Sequence, residues 1–248
     1  IGKLFLTKLI REGARDLIIG LLDVILHYSK SDREYIREYI SVIDPYYLKE
    51  TLDNNKKGIS EICAVEAADV AIAKMQEILK EDKSQFNCVW IPAIEDHEQT
   101  GFPDRYECQL VHFVRDMFEA ADPKKIEPIV KDMLSEEHDI FKRLAYHLIN
   151  HHYDVLSHLL WSIPYNPLNS LTIHELYELF KAHCKSFNQT QIETILNWIE
   201  TKKFDFTKEE HIKAYYKKEW LLAMLDTGNE QVKRRYEAYN SINDATIE

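Results

Sequence analysis

His147, His151, Asp154 and His158 fall at i, i+4, i+7 and i+11. That spacing would place three imidazoles and a carboxylate on one face of an unbroken helix, a ligand set that zinc accepts. The stretch Asn150-His151-His152-Tyr153-Asp154 reads, however, as the end of one helix and the cap of the next. A bend there destroys the alignment, and a His near a helix C-terminus is favoured by the helix dipole alone. A His-rich metal-dependent hydrolase is therefore the lesser alternative. Glu95, Asp96, His97 and Glu98 form a second group. Carboxylates beside an imidazole can ligate a metal or transfer protons. Adjacent residues point in different directions, so an acidic first turn of a helix, or a loop pinned by hydrogen bonds, is the plainer reading.

Nothing else in the chain resembles a reaction centre. There is no GxxxxGK[ST] or GxGxxG phosphate loop, no GxSxG elbow and no HExxH, so the machinery of those enzyme classes is missing. No catalytic, cofactor-binding or metal residue is assigned, no cofactor is expected, and the segment is read as a non-enzyme. Neighbouring rings in Tyr46-Tyr47 and Tyr215-Tyr216 must face different ways, so at least one of each pair is expected at the surface, where Tyr favours protein interfaces. Trp161 and Trp198 lie on apolar stripes and are expected in the core.

The elements that carry these residues are short amphipathic helices. A helix over Arg15 to Tyr28, after Gly13-Ala14, carries Leu17, Leu21, Val24 and Ile25 at helical spacing. Ser31 with Glu34 is a capping box opening a helix with the stripe Tyr35, Ile36, Tyr39, Ile40 and Ile43. Asp44-Pro45 starts another, which the turn-rich NNKKG at 54–58 should end. The longest periodic stretch is Ile59 to Lys80, whose alanines suggest closely packed neighbours. Residues 83–104 form the least helical region, a long loop with one helical turn near Ala93-Ile94, packed down by Phe86, Val89, Trp90, Ile91 and Phe102, with Cys88 also in a packed position. From Arg105 onward short helices follow one another. Starts are marked by Asp122-Pro123, by Thr172 with Glu175, by Asn188 with Gln191 and by Thr207 with Glu210, and a last helix follows Gly228. No such helix can bury its stripe alone, so the fold expected is all-α, an irregular HEAT-like helical-repeat solenoid of stacked antiparallel short helices. The division is an N-terminal helical segment 1–82, an ordered loop 83–104 and a helical-repeat segment 105–248.

Composition agrees. Of 248 residues, 45% are hydrophobic and 29% charged, with only 6 Gly and 7 Pro to punctuate a many-stranded fold. The net charge of −11 repels phosphate backbones and makes nucleic acid a poor partner. Lys124-Lys125 and Lys233-Arg234-Arg235 are the only compact basic runs read as candidates. Cys63, Cys88, Cys108 and Cys184 show no CxxC spacing and read as reduced thiols of a cytoplasmic protein. No apolar run reaches membrane-spanning length. The opening IGKLFLTKLIREGARD turns charged too soon for a secretory leader, and its start in helix-like sequence without Met suggests a piece of something longer.

Three stretches resemble the C-terminal helical region of large bacterial antiviral NTPases of the STAND superfamily (Avs-type). They are VWIPAIEDHEQTGFPDRYECQLVHFVRDMFEAA (89–121), EHDIFKRLAYHLI (137–149) with the later IHELYELF and ILNWIE, and KKEWLLAMLDTGNEQVKRRYEAY (217–239). The resemblance implies a helical sensor that follows an effector and a nucleotide-binding module and recognises a phage protein by its fold. The expected function is thus protein binding, with a phage structural or packaging protein as partner and self-association through the remainder of the chain. A purely structural or oligomerisation scaffold is the alternative. The residues that touch a partner are not assigned.

Overall fold

The first helix, α1 (Gly2–Arg11), stops where Gly13 takes a left-handed φ of 63°. Gly13 N–H bonds the Ile10 carbonyl and Ala14 N–H reaches back to Leu9, both at 3.0 Å. Those paired bonds satisfy a helix end when a residue without Cβ turns the chain. The computed structural model describes residues 2–30, 39–96, 105–170 and 173–244. Among these the fold is all-α apart from one two-stranded ribbon. No helix among them is long and apolar enough to cross a membrane. The chain divides into two compact units, Ile1–Leu156 and Ser157–Glu248.

In the first unit, α2 (Arg15–Ile25) buries Ile18, Leu22 and Ile25. Of the expected stripe Ile25 is buried, but Leu17 and Val24 are 62% and 61% exposed, and their neighbours Ile18 and Leu22 take the inner positions. Apolar residues occupy both faces of this helix, so periodicity alone could not choose between them. The helix also ends earlier than expected. Its continuation, β1 (Tyr28–Lys30), pairs antiparallel with β2 (Tyr39–Ser41), Tyr28 facing Ser41. A helix through Tyr39 and Ile40 is therefore corrected to strand, as the β-favouring YISVI composition permits. The Ser31–Glu34 capping box, Tyr35 and Ile36 lie outside the described residues.

Asp44 caps α3 (Pro45–Glu81) as expected, its Oδ1 accepting the Tyr46 N–H at 3.0 Å with Pro45 at the first helical position. The helix does not end at NNKKG. It continues for 37 residues, broken only at Cys63, where φ −152° and ψ 45° depart from helical values. Gly58 is no stop signal but a point of close approach: a Cβ there would lie 2.5 Å from Ile10 Cγ2 of α1. Beyond the break the helix buries Ala64, Ala67, Ala68 and Ala71. These small residues let it pack closely on α4 (Tyr106–Ala120), its main partner. α4 is buried almost all round, the pattern of a central helix. Next come α5 (Pro123–Ser135), capped by Asp122 onto Lys124 N–H at 3.0 Å, and α6 (Asp139–His151), which packs against it. The helix α7 (Tyr153–Trp161) follows a break at His152, with φ −108° and ψ 39°.

The loop ahead of α4 carries no regular helix over its described residues, 83–96, so the turn expected at Ala93-Ile94 is absent. Phe86, Ile91, Ala93 and Ile94 are buried, but Val89 is 76% exposed, Trp90 is 38% exposed and Cys88 is exposed. Much of its anchoring comes instead from arginines. Arg143 donates to the Ile91 carbonyl at 2.6 Å, and Arg115 to the Ile94 carbonyl at 2.9 Å. Arg105 covers the Trp90 ring at 4.2 Å. Phe102, His97 and Glu98 lie outside the described residues.

The second unit holds α8 (Ile173–His183), α9 (Gln189–Thr201), α10 (Glu210–Leu222) and α11 (Glu230–Asp244). Asn188 and Gln191 make the expected capping box on α9. Thr172 lies outside the described residues. Thr207 does not cap α10: its Oγ1 accepts the Glu209 N–H at 3.1 Å, and the helix starts at Glu210. Gly228, at φ 67°, precedes Asn229, whose Oδ1 accepts the Gln231 N–H at 2.9 Å. Trp161 and Trp198 stack 6.2 Å apart with Phe187 edge-on to Trp161. Trp198 is buried, whereas Trp161 is only half-buried.

Candidate functional site

Two surfaces gather groups capable of recognition, one in each unit. In the first unit α4 presents His112, Arg115, Asp116 and Glu119 at i, i+3, i+4 and i+7, which share one face. Lys56 of α3 meets Asp116 at 2.7 Å, and both residues line two adjoining hollows. Lys49, Asp53 and His112 line one, while Ser60, Glu119 and His151 line the other. Arg115 also binds Asp116 at 2.6 Å and Asp96 at 2.9 Å. The Arg115 bond, outweighing a smaller burial effect that acts in the opposite direction, holds the Asp96 carboxyl below its ordinary range. The loop-pinning reading of the acidic stretch is therefore the one this geometry supports at Asp96.

α6 brings His147 and His151 to the same region. His147 Nε2 donates to Glu119 Oε1 at 2.6 Å, and its Nδ1 lies 3.9 Å from Glu95 Oε2. His151 Nδ1 is 3.9 Å from Glu119 Oε1. Burial raises the Glu119 carboxyl, but His147, Arg115 and His151 outweigh it and leave a net downward shift. Burial, then Arg115, pushes His112 down to about 4, against Asp96 and Asp116. Its Nε2 is buried with no hydrogen-bond partner, so the ring is neutral near pH 7. Asp154 and His158 lie past the helix break at His152, and both are exposed. Among the described residues no group of three or more His, Cys, Asp or Glu could hold a metal ion. The cleft is a network of ion pairs and hydrogen bonds around a neutral imidazole, and Lys56, Asp116, Glu119 and His147 each already have a partner.

The second unit carries an aromatic platform. Phe204 and Phe206 leave α9 through a turn and meet Tyr215 and Tyr216 of α10. Phe206 packs edge-on against Tyr216 at 5.3 Å, Tyr215 against Tyr216 at 5.7 Å, and Phe204 against Phe206 at 6.0 Å. Phe206 remains 64% exposed and Tyr215 49% exposed. Lys202 lies 5.7 Å from the Phe204 ring centre and Lys218 5.5 Å from that of Tyr215. A polar hub ties α10, which carries the two tyrosines, to its neighbours. Glu200 accepts from Lys217 at 2.9 Å, Arg235 at 3.0 Å and Tyr239 at 2.9 Å, joining α9, α10 and α11. Burial raises the Glu200 carboxyl, but these donors outweigh it and the net shift is downward.

The expected exposure of each tyrosine pair is observed: Tyr46 and Tyr47 are 62% and 60% exposed, Tyr215 is exposed and Tyr216 half-buried. Sequence reasoning missed Phe204 and Phe206. The signal available was a Phe-x-Phe in a polar turn, matching no helical stripe. Of the basic runs, Lys124 and Lys125 are exposed on the first turn of α5, and Arg235 is engaged by Glu200. No family model matches this chain, and no curated protein or solved structure matches it.

Proposed function

We propose that this chain is a protein-binding helical module that senses its target for a bacterial antiviral STAND NTPase, in the cytoplasm, by recognising a phage protein. One observation carries the binding reading: a cluster of four touching rings with Phe206 and Tyr215 left largely in solvent. Large rings packed against one another lose little conformational freedom on docking, which is why such residues dominate interface energies. The successive helices inside each unit are proposed to stack antiparallel as the modules of an irregular HEAT-like repeat. A target that binds one arrangement of the larger protein better than another shifts its population by that difference in affinity.

The test is binding of purified phage structural and packaging proteins to the immobilised chain, compared with a Phe206→Ala/Tyr215→Ala variant. We expect at least one protein to bind and the variant to lose it. No binding across the panel, or binding indifferent to the substitutions, overturns the reading. The scaffold alternative keeps one specific observation in its favour. Leu4, Phe5, Leu17 and Val24 on α1 and α2 are exposed, at 79%, 54%, 62% and 61%.

A further inference from the structure

The surroundings of the platform name the chemistry of its partner. Residues 202–218 hold six lysines against three carboxylates in a chain whose net charge is −11. Lys213 pairs with Glu210 at 2.8 Å and Lys217 with Glu200 at 2.9 Å. Lys203 and Lys208 flank the Phe204–Phe206 turn and are exposed, with no ion-pair partner among the described residues. Lys218 touches the Tyr215 ring and Asn240, not a carboxylate. Asp205 stands between the two phenylalanines, and Glu209 is engaged by His211 at 3.3 Å. With Glu200 and Glu219 at its two ends counted, the stretch still carries one more lysine than carboxylates, so its formal charge is positive, opposite in sign to the molecule as a whole.

We infer that the platform takes an acidic segment of a partner protein, anchored by an aromatic or aliphatic side chain. This rests on the protein-binding reading above and adds the partner's charge. An apolar anchor covers Phe206 and Tyr215, and flanking carboxylates meet Lys203, Lys208 and Lys218. The rings meet at 78° and 81°, edge to face, not as parallel slots for consecutive bases. A long polyanion would also meet the repulsion of the remaining acidic surface. A short segment needs only the local field, since charges beyond about 8 Å are screened at physiological salt.

The experiment is fluorescence anisotropy on the whole chain with three labelled probes: a glutamate-rich peptide with a central Trp-Leu, its lysine-for-glutamate counterpart, and oligothymidylate. The acidic peptide is expected to bind tightest and to weaken with added salt. Its affinity should fall about tenfold or more in Phe206→Ala/Tyr215→Ala and in Lys203→Glu/Lys208→Glu/Lys218→Glu. Because Phe206, Tyr215, Lys203 and Lys208 are exposed and Lys218 is half-buried, none of them in the core, circular dichroism should match the parent chain. Absent binding of the acidic peptide, equal binding of the basic one, or tighter binding of oligothymidylate overturns the inference. The phage-protein panel separates the two proposals. A partner lost by the aromatic variant but indifferent to the lysine reversals leaves the binding reading intact and sinks the acidic-segment inference.

Discussion

His112 illustrates how burial on one helix face sets a titration. The folded chain protonates it at about 4 against 6.5 for the free side chain, because burial and then Arg115 disfavour the cation. Between those values only the unfolded chain binds the proton. The stability this group contributes is therefore complete above pH 6.5 and falls as pH drops toward 4, by roughly 3 kcal/mol in all. Urea unfolding across that window should show this slope, and His112→Gln should flatten it; identical slopes would refute the assignment. Arg143 offers a second test. It is 2% exposed and satisfies the buried Ile91 carbonyl. Arg143→Met fills much of the volume but strands that oxygen, so a loss of about 2 kcal/mol or more is expected in chemical denaturation. Neither role was legible from spacing. A histidine or arginine within an apolar run does not announce its surroundings: His112 is shifted by burial and by Arg115 of its own helix, and the partner of Arg143 comes from a loop that periodicity cannot place.

At the scale of elements, the aspartate and asparagine caps were read well, whereas the Thr207 cap and the stop at Gly58 were not. Asp44, Asp122 and Asn188 cap the helices they were expected to cap, because one side-chain oxygen and one N–H decide the matter locally. NNKKG misled because Gly58 serves a neighbour. Ile10 of α1 occupies the space a side chain would need, and the helix tolerates the glycine to obtain that approach. Gly58→Val should therefore lower stability by about 2 kcal/mol, the overpacking cost exceeding any gain in backbone rigidity. A thermal melt at or above the parent Tm would show that α1 simply moves aside. The ribbon of β1 and β2 was missed for another reason. Tyr39 and Ile40 of β2 also fit a helical stripe, and only cross-strand pairing distinguishes the two.

For the molecule as a whole, the helical class was evident in composition, since a chain so poor in Gly and Pro lacks the turns a many-stranded fold requires. The binding surface was less evident. Tyr215 and Tyr216 were visible as a pair, but their joining to Phe204 and Phe206 depends on how the turn after α9 returns to α10. A net charge of −11 also keeps copies apart. We expect sedimentation of a 29.3 kDa monomer at both low and high salt. A dimer that Leu17→Glu/Val24→Glu dissolves would favour the scaffold reading.

The arginine anchors carry a last consequence. Arg115 and Arg143 hold main-chain oxygens of Ile91 and Ile94, not the outward side chains of Cys88 and Val89. Exchanging those outer letters leaves both guanidinium bonds in place, so what this segment displays can change while the path it follows does not. Sequence drift there is cheap, and any new surface it creates is presented on a main chain held from behind by two buried arginines.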